Sequence, residues 1–516
     1  TVSILVDQVE SALSDAAVAA EHGAEMIEWR IDRFDGDTPQ LSELIRRSPL
    51  PCIVTARPVW EGGLCELPEA DRIERLCAAA EAGPAAIDLE LAAVDRAAGL
   101  LERVRGGDDD SDRPRLILSS HDFESRPADL TRRLGAMWDH PRGAIAKIAW
   151  RARSVRDNLE AFELLRERTE PTIALCMGEY GLPSRLLARK FGGFLTFASL
   201  NDQTATAPGQ VSVEAMKRLY RWDSIGPNTA VYGVIGWPVG HSLSPHIFNA
   251  GFDQVGFDGV DLPLPVPDAY EAFKATVATW CDMKPLHFRG ASVTIPHKQN
   301  LLRFVRESNG RIDPLTERIG AANTLTIDPD GSLEATNTDC PAALEAICEA
   351  METDTAGLAG RRAALIGAGG VVRAIAAGLT HHGAEVVIHN RTPERAEALA
   401  ADLNDGASNV RAAPMEALAT EPYDLYVNGT PVGMHPNTDQ TPMARWPENL
   451  GDQTVAFDTI YNPLETRWLR EAAEAGCRTV RGINMFVRQA ARQFERWTGQ
   501  PAPIELFEQT VRKQLQ

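Results

Sequence analysis

With 516 residues, the chain exceeds what one hydrophobic core normally serves, and about three domains of roughly 100–200 residues are expected. The net charge of −20 and the pI near 5.1 argue against general affinity for nucleic acids or anionic membranes, since both need clustered lysines and arginines. The composition, 44% hydrophobic and 24% charged, is that of a globular protein.

The first part of the chain alternates short runs rich in β-branched residues with longer amphipathic stretches. The strand-like runs are 3–6, 25–32, 51–57, 85–91, 115–122, 144–150, 172–177 and 194–198. Segments between them, such as Asp71–Glu81 and Val155–Arg168, have the periodicity of helices. This alternation predicts an α/β fold, and specifically a (β/α)8 TIM barrel, with an open doubly wound sheet as the alternative.

Charged residues stand on these strands where core residues are expected. Lys147 lies in the apolar run GAIAKIAW, where burial would leave a neutral amine able to attack a carbonyl; a lysine that reaches solvent is the alternative. Glu28, Arg30 and Asp32 alternate along one strand and therefore share a face, which is either a site or a solvent-facing edge. His121 ends another strand, where a barrel keeps its catalytic groups.

Six short motifs, taken in order, make this region similar to the type I 3-dehydroquinate dehydratases. They are EWRID (28–32), TARPVWEGG (55–63), SSHDF (119–123), AKIA (146–149), GLPSR (181–185) and TAPGQ (206–210). The resemblance implies a (β/α)8 barrel and a site that contains no metal.

The same resemblance implies a role for each matching residue. Lys147 would form an imine with the substrate ketone, His121 would be the general acid and base, and Glu61 would orient and polarise its ring. The residues expected to line the substrate pocket are Glu28, Arg30, Arg57, Arg185, Thr206 and Gln210. The family usually has serine at position 206, and threonine keeps the hydroxyl. A protonated imine is an electron sink, so one histidine can remove the adjacent carbon proton and later protonate the leaving hydroxyl.

The rest of the chain predicts two further α/β units. Polar residues 223–229 predict a linker, and the run 229–236 predicts the first strand of the second unit. The third unit begins at 361–370, where a strand leads into a glycine-rich turn and then a helix.

The glycine-rich turn has the features of a dinucleotide site. In GAGGVVRA (367–374), Gly367, Gly369 and Gly370 would let a pyrophosphate approach a helix N-terminus, although Val372 fills the third position that is usually small.

The end of the next strand, 384–392, indicates which dinucleotide binds. An NAD site would place an acidic residue there for the ribose 2′-hydroxyl. This chain instead has Asn390, Arg391 and Thr392, with Arg395 a turn later, and cations and hydroxyls suit a 2′-phosphate. NADP is therefore predicted, with a solvated basic loop as the alternative.

Seven motifs make the stretch from 229 to 516 similar to the shikimate dehydrogenases. They are GWPVGHSLSPHIFN (236–249), GASVTIPHK (290–298), GAANTL (320–325), TNTDC (336–340), NGTPVGM (428–434), FDTIYNP (457–463) and GINMFVRQAARQF (482–494). The resemblance implies that Lys298 and Asp339 form the acid/base pair at the reacting carbonyl. The residues expected to bind substrate hydroxyls and carboxylate are Ser242, Ser244, Thr294, Asn323 and Gln489.

Two positions depart from the dehydrogenase pattern. Many members have asparagine where Ser292 stands and glycine where Cys340 stands. Neither belongs to the acid/base pair, so the departures bear on fine specificity rather than on activity.

The motif order implies three domains. They are a dehydratase barrel of residues 1–223, a substrate-binding and catalytic domain of 229–340 plus 481–516, and an NADP-binding Rossmann-like domain of 341–480. The expected ligands are 3-dehydroquinate, 3-dehydroshikimate, shikimate and NADP, with no nucleic-acid or membrane partner. The expected activity is dehydration of dehydroquinate followed by NADPH-dependent reduction to shikimate.

Two other functions fit parts of the sequence. A quinate-preferring dehydrogenase would need more room for the extra hydroxyl beside the carboxylate, and Ser244 with Thr294 favours shikimate. A non-catalytic metabolite sensor should have lost its reactive groups, yet both lysines, His121 and Asp339 are present.

A cytoplasmic location is expected from three features. The eight cysteines form no CxxC pair and are read as reduced thiols. No apolar run approaches the ~18–20 residues of a membrane span, and no signal or transit segment is visible at the N-terminus.

Overall fold

The computed structural model describes residues 1–105, 112–201, 209–404, 409–448 and 450–515. The chain divides into two compact units. One comprises residues 1–230, 258–265 and 278–287, and the other comprises 231–257, 266–277 and 288–516. None of the described helices has the length and apolar character that a membrane crossing requires.

The first unit contains one parallel sheet whose strands follow each other in chain order. Its strands are β1 (Val2–Leu5), β2 (Ile27–Arg30), β3 (Cys52–Thr55), β4 (Ala86–Glu90), β5 (Arg115–Asp122), β6 (Ile145–Arg151) and β7 (Thr172–Met177). The helices between and after them are α1 (Val9–Glu21), α2 (Thr38–Arg46), α3 (Glu69–Glu81), α4 (Ala98–Leu101), α5 (Leu130–Trp138), α6 (Asp157–Glu167) and α7 (Leu182–Leu186). This alternation confirms the predicted fold class.

The eighth predicted strand, residues 194–198, is not a regular strand. The Phe194 N–H donates to the Thr172 carbonyl oxygen of β7 at 2.9 Å, and Ala198 forms a single parallel bridge with Val2 of β1. The segment thus touches both the last and the first strand. The sheet curls back on itself, as the barrel interpretation requires and the open-sheet alternative does not.

Apolar side chains fill the inside of this sheet. The cluster comprises Ile53, Ala86, Ile117, Ile145, Ala149, Ile173, Leu175, Met177 and Phe197. Side chains alternate along a strand, so the next inward positions on β4, β5 and β6 are Asp88, Ser119 and Lys147. The apolar cluster therefore packs against a layer of polar and charged side chains near the carboxyl ends of the strands, where barrels carry their active sites.

A second sheet is mixed. It has the order β11-β13-β12-β10-β8-β9, in which β12 runs antiparallel to β10 and β13. The strands are β8 (Ala230–Gly236), β9 (Gly259–Pro265), β10 (Phe288–Val293), β11 (Arg311–Ile312), β12 (Thr324–Ile327) and β13 (Leu333–Thr336). The accompanying helices are α8 (Ser244–Gln254), α9 (Tyr270–Asp282), α10 (Lys298–Glu307), α11 (Pro314–Ile319) and α12 (Asp339–Ala350).

A third sheet is parallel and has the order β16-β15-β14-β17-β18-β19. The strands are β14 (Arg362–Ile366), β15 (Glu385–His389), β16 (Val410–Ala413), β17 (Leu425–Asn428), β18 (Val455–Asp458) and β19 (Arg478–Val480). Its helices are α13 (Gly370–His381), α14 (Pro393–Leu403) and α15 (Arg467–Glu474), and two more helices follow β19, namely α16 (Gly482–Thr498) and α17 (Ile504–Gln514). Counted from β14, this is the 3-2-1-4-5-6 order of dinucleotide-binding folds, which confirms the Rossmann-like prediction.

Helix α16 packs against α8 through aromatic rings. The ring of Phe494 lies 5.6 Å from that of Phe252, and the ring of Trp497 lies 4.9 Å from that of Phe248. Gly251 allows the approach, because a Cβ there would lie 2.8 Å from the Phe494 ring. The C-terminal helices thereby bring Gln489 beside the second sheet.

Candidate active sites

The first unit has a cavity at the carboxyl ends of its strands. Every described residue of the predicted site lines it: Glu28, Arg30, Arg57, Glu61, His121, Lys147, Arg185 and Gln210. Thr206 lies outside the described residues. The strands therefore bring together residues that are far apart in the sequence.

Lys147 is buried as expected, but it does not lie in apolar surroundings. Its Nζ lies 2.8 Å from Asp88 Oδ2 and 3.4 Å from Glu28 Oε1, and it sits 4.2 Å above the Phe197 ring. Asp88 was not among the predicted site residues. The signal was present, because Asp88 and Glu90 alternate in AAIDLEL in the same way as Glu28 and Arg30.

The carboxylates beside Lys147 are held as anions. Burial raises the pKa of a carboxyl group, but Arg57 and Lys147 outweigh it and hold the pKa of Asp88 well below its usual range. In the same way Lys147 and Arg30 outweigh burial and lower the pKa of Glu28. The Ser119 and Ser3 hydroxyls donate to these two carboxylates at 2.6 and 2.5 Å.

Glu61 contacts His121 differently from the expected manner. Its Oε1 accepts the His121 backbone N–H at 2.6 Å, whereas the ring Nδ1 lies 3.5 Å away. Burial raises the pKa of Glu61 to about 7. Burial, followed by Arg57 and Lys147, holds the pKa of His121 well below its ordinary range. The imidazole is therefore neutral near pH 7, and a role for Glu61 in orienting the ring stays a prediction.

Arg185 is a buried cation on α7 that forms no ion pair with any described residue. Burial lowers the pKa of Arg185 to about 10, which still leaves the guanidinium charged at neutral pH. It lines the cavity. A buried unpaired cation is costly, and a bound carboxylate would remove that cost.

Asp32 belongs to the structure around the site rather than to its lining. Its carboxylate accepts from Arg30 at 2.6 Å and from the backbone N–H groups of Arg57 and Leu64, both at 3.0 Å. Asp32 therefore fixes the turn that carries Glu61, although it was expected to share a face with Glu28.

The second unit has a cleft lined by all seven predicted substrate and acid/base residues. They are Ser242, Ser244, Thr294, Lys298, Asn323, Asp339 and Gln489. Lys298 and Asp339 begin α10 and α12, and Lys298 Nζ lies 2.6 Å from Asp339 Oδ2. The ammonium therefore has a fixed position in the cleft.

The polar side chains of the cleft are held before any ligand binds. Asn323 Oδ1 accepts the Thr338 N–H at 2.8 Å, and its Nδ2 lies 3.3 Å from Gln489 Oε1. The Ser242 hydroxyl accepts the Ser244 N–H at 3.2 Å. This organisation reduces the ordering that substrate binding would require.

Two further cleft residues, Tyr461 and Gln493, were not predicted. Gln493 lies one helical turn after Gln489 and therefore on the same face of α16, which the spacing could have indicated. Its Oε1 accepts the Ser292 hydroxyl at 2.9 Å. Tyr461 stacks on Phe486 with ring centroids 4.4 Å apart, and it lies in the motif FDTIYNP (457–463) that follows from β18, which could have indicated it.

The turn after β14 fits a dinucleotide. Gly367 has a φ of 112°, which favours glycine, and a Cβ there would lie 3.0 Å from the Thr430 side chain. Helix α13 follows with Gly369 at its N-cap and no side chain capping its first N–H groups. Gly370 is the first residue of α13. These N–H groups are available to a pyrophosphate.

Residues after β15 fit a 2′-phosphate. Arg391, Thr392 and Arg395 are exposed, and neither arginine forms an ion pair within the described ranges. The Asn390 side chain donates to the Thr392 carbonyl oxygen at 2.8 Å and so shapes the turn rather than pointing freely into solvent.

The missing small residue of the glycine motif is replaced elsewhere. Val372 is buried, and a Cβ on Gly429 would lie 2.3 Å from its Cγ2. Gly429 follows β17, the strand beside β14. The close packing that a third glycine normally allows is thus provided by the facing strand.

Family models match both halves of the chain. The model of type I 3-dehydroquinase matches residues 1–227. The shikimate dehydrogenase substrate-binding domain matches 234–325, shikimate/quinate 5-dehydrogenase matches 349–430, and the shikimate 5′-dehydrogenase C-terminal domain matches 482–512.

Individual proteins are similar over the same regions. A bifunctional 3-dehydroquinate dehydratase/shikimate dehydrogenase, chloroplastic, of Arabidopsis thaliana is 37% identical over 99% of this chain and 83% of its own length. The NADP(+) shikimate dehydrogenase of Methanosarcina mazei is 38% identical over 55% of this chain and 99% of its own. A crystal structure of shikimate dehydrogenase with NADP+ shares 33% identity and a TM-score of 0.50 over 56% of this chain and 96% of that one.

Arg185 and Asp88 should affect stability in opposite ways. We expect Arg185→Met to leave the free energy of unfolding unchanged or to raise it, because the replaced cation has no carboxylate partner among the described residues. Asp88→Asn should lower that free energy by about 3–5 kcal/mol, because it leaves Arg57 and Lys147 short of a counter-charge. Calorimetric unfolding of the full chain measures both, and equal losses would contradict the description of Arg185 as unpaired.

Proposed function

Since the chain belongs to the family of bifunctional 3-dehydroquinate dehydratase/shikimate dehydrogenases, we propose that it dehydrates 3-dehydroquinate through a Lys147 Schiff base and reduces the resulting 3-dehydroshikimate with Lys298 and Asp339. The observation that carries the proposal is the pair of lysines, each held by an aspartate inside a separate cavity.

In the front site Lys147 attacks the ketone carbon. The new C–N bond becomes an imine as the carbonyl oxygen leaves as water. His121 then takes the proton from the adjacent carbon, and the electron pair forms an enamine. His121 returns the proton to the β-hydroxyl, which leaves as a second water as the C–C double bond forms. Hydrolysis of the imine consumes one water, releases the product and restores the amine.

The charges around Lys147 support this sequence. Neutral His121 can accept a proton at pH 7, because burial and the neighbouring cations disfavour its charged form. Arg185, which lacks a carboxylate partner within the described part of the chain, would bind the substrate carboxylate. Glu28, Arg30, Arg57 and Gln210 would then surround the ring hydroxyls, and Thr206 would add a further hydroxyl.

In the rear site the chain positions substrate and controls one proton. NADPH, when bound, supplies the hydride. Lys298 donates a proton to the carbonyl oxygen that becomes the new hydroxyl, and Asp339 at 2.6 Å holds the ammonium in position. Ser242, Ser244 and Thr294 would bind the substrate carboxylate and a hydroxyl, with Asn323 and Gln489 on the remaining hydroxyls.

The glycine turn and the arginines after β15 would hold the cofactor. Gly367, Gly369 and Gly370 leave room for the pyrophosphate at the start of α13, and Arg391 and Arg395 with Thr392 would bind the 2′-phosphate. Asn390 would set the turn that presents them.

The sheets support the domain bounds 1–223, 229–340 plus 481–516, and 341–480. The second sheet ends at Thr336, and the third runs from Arg362 to Val480. We also infer a cytoplasmic location, which the eight free cysteines favour. The Arabidopsis relative is named as chloroplastic, so cell fractionation decides this point.

A coupled assay with two lysine variants tests the function. Wild-type chain should oxidise NADPH when given 3-dehydroquinate. Lys147→Ala should lose this but still reduce 3-dehydroshikimate, whereas Lys298→Ala should form dehydroshikimate without oxidising NADPH. Borohydride added with dehydroquinate should attach the ligand to Lys147. A label on another lysine, or loss of both activities in either variant, would contradict the assignment.

The dehydratase rate should depend on the ionisation of Glu61. Its pKa of about 7 means that lowering the pH through this value neutralises an anion 3.5 Å from His121 Nδ1 and weakens the base. Wild-type kcat/KM should therefore fall below about pH 7. Glu61→Gln should lack this inflection and be roughly ten-fold or more slower at higher pH. An unchanged inflection in the variant would assign it to another group.

Arg391 should determine the preference for NADPH over NADH. Arg391→Gln should raise KM for NADPH about ten- to a hundred-fold, since a charge-assisted hydrogen bond is worth ~1.5–3 kcal/mol, and should leave the rate with NADH unchanged. Arg470→Gln, an exposed arginine on α15, is the control. Equal effects on both cofactors would mean that Arg391 acts on folding and not on the 2′-phosphate.

A further inference from the structure

Five buried side chains of alternating charge form a continuous row that ends at the front-site lysine. We call the row Lys147, Asp88, Arg57, Glu90 and Arg72 the charge chain. The successive N···O distances, starting from Lys147, are 2.8, 2.8, 2.7 and 2.6 Å. Each carboxylate uses one oxygen for each neighbouring cation, so the geometry of any member restricts the next.

The far end of the charge chain has no part in the chemistry described above. Arg72 lies on α3, is completely buried, and lines neither described cavity. Its guanidinium also donates to the Ala56 carbonyl oxygen and to Glu69, both at 3.0 Å. Glu90 ends β4 and is likewise completely buried. Replacing a buried ion pair by two apolar side chains often leaves a protein equally stable. Stability therefore does not explain why Arg72 and Glu90 are charged.

We propose that Arg72 is a positioning residue for imine formation, which acts through Glu90 and Arg57 on the Asp88 carboxylate that holds Lys147. The proposal rests on the dehydratase function given above. Arg72 Nη1 binds Glu90 Oε2, and the other oxygen of that carboxylate, Oε1, is therefore left to Arg57 Nη1. Arg57 can then keep its Nη2 on Asp88, which shares its charge between Arg57 and Lys147.

Loss of Arg72 changes how that charge is shared. With Arg72 absent, Glu90 competes more strongly for Arg57, and Asp88 is left with Lys147 as its main cation. A tighter Asp88–Lys147 ion pair stabilises the ammonium form, although the amine must be neutral to attack the ketone. The other charged groups that face Lys147, namely Glu28, Arg30, Glu61 and His121, are unchanged by the substitution.

The test compares Arg72→Met with Arg72→Lys and with a control on the same helix, Arg75→Met. Arg75 lies about one turn further along α3 and donates to the Phe34 carbonyl oxygen, not to the charge chain. Arg72→Met should lower dehydratase kcat by about ten-fold or more, within the ~100-fold that a 1 Å misplacement can cost, and leave KM little changed. The acidic limb of its kcat–pH profile should move to higher pH, and borohydride trapping at Lys147 should slow in parallel. Arg72→Lys should restore part of the rate, and Arg75→Met should match wild type.

A double variant separates positioning from a merely structural role. Adding Glu90→Gln to Arg72→Met removes the competitor for Arg57, so the pH profile should return toward wild type even though two buried groups are now changed. The proposal would be overturned if the rate losses caused by the two substitutions simply add. It would also be overturned if the kcat–pH profile of Arg72→Met keeps the wild-type shape. Dehydrogenase activity of the same samples reports the amount of folded second unit, and circular dichroism with thermal unfolding reports whether the first unit is folded.

Failure of this inference is distinguishable from failure of the function itself. A wild-type chain that neither dehydrates dehydroquinate nor is trapped at Lys147 would refute the dehydratase function. A wild-type chain that does both, with Arg72→Met and Arg75→Met indistinguishable from each other, would refute only the role of Arg72.

Discussion

A lysine ammonium held by an aspartate carboxylate is the interaction on which both sites depend. Lys147 and Asp88 lie 2.8 Å apart in the front cavity, and Lys298 and Asp339 lie 2.6 Å apart in the rear cleft. A long, flexible side chain would otherwise sample many rotamers, and a buried ammonium without a counter-charge would be costly. The aspartate removes both problems, and the rest of each site is arranged to hold that aspartate.

The two aspartates are held in different ways, and the difference matches the chemistry. Asp88 lies within a strand and is fixed by Arg57 and Ser119, which draw negative charge away from Lys147. That suits the role proposed for Lys147, in which a neutral amine attacks carbon. Asp339 begins α12, where the positive end of the helix dipole stabilises an anion. This suits the role proposed for Lys298, in which the ammonium donates a proton to the carbonyl oxygen.

The fold was predictable wherever local pattern and final environment agree. Seven of the eight front runs form strands, because parallel strands covered on both faces need near-continuous apolar sequence. Residues 194–198 have the same composition but make only one bridge to Val2, and Ser199 then bridges to Ser212 instead. The composition of a segment indicates that it can form a strand. The length of the strand depends on how many backbone hydrogen bonds the neighbouring segment offers.

Contacts within the sites were harder to predict where a site residue binds a backbone group, because a backbone group leaves no pattern in the sequence. The contact between Glu61 and His121 was expected through the imidazole, yet the carboxylate accepts a backbone N–H, which every residue except proline offers. Asp88 alternates with Glu90 in a mostly apolar strand, and its importance comes from Lys147 on β6, Ser119 on β5 and Arg57 in the segment after β3. Val372 shows the same limit for packing. The motif seemed to lack a small residue, but the space is provided by Gly429, which is distant in sequence and adjacent only across the β14–β17 pair. The sequence motif shows that the usual small residue is absent from its position. Only the strand that packs against the motif shows whether another residue provides the same space.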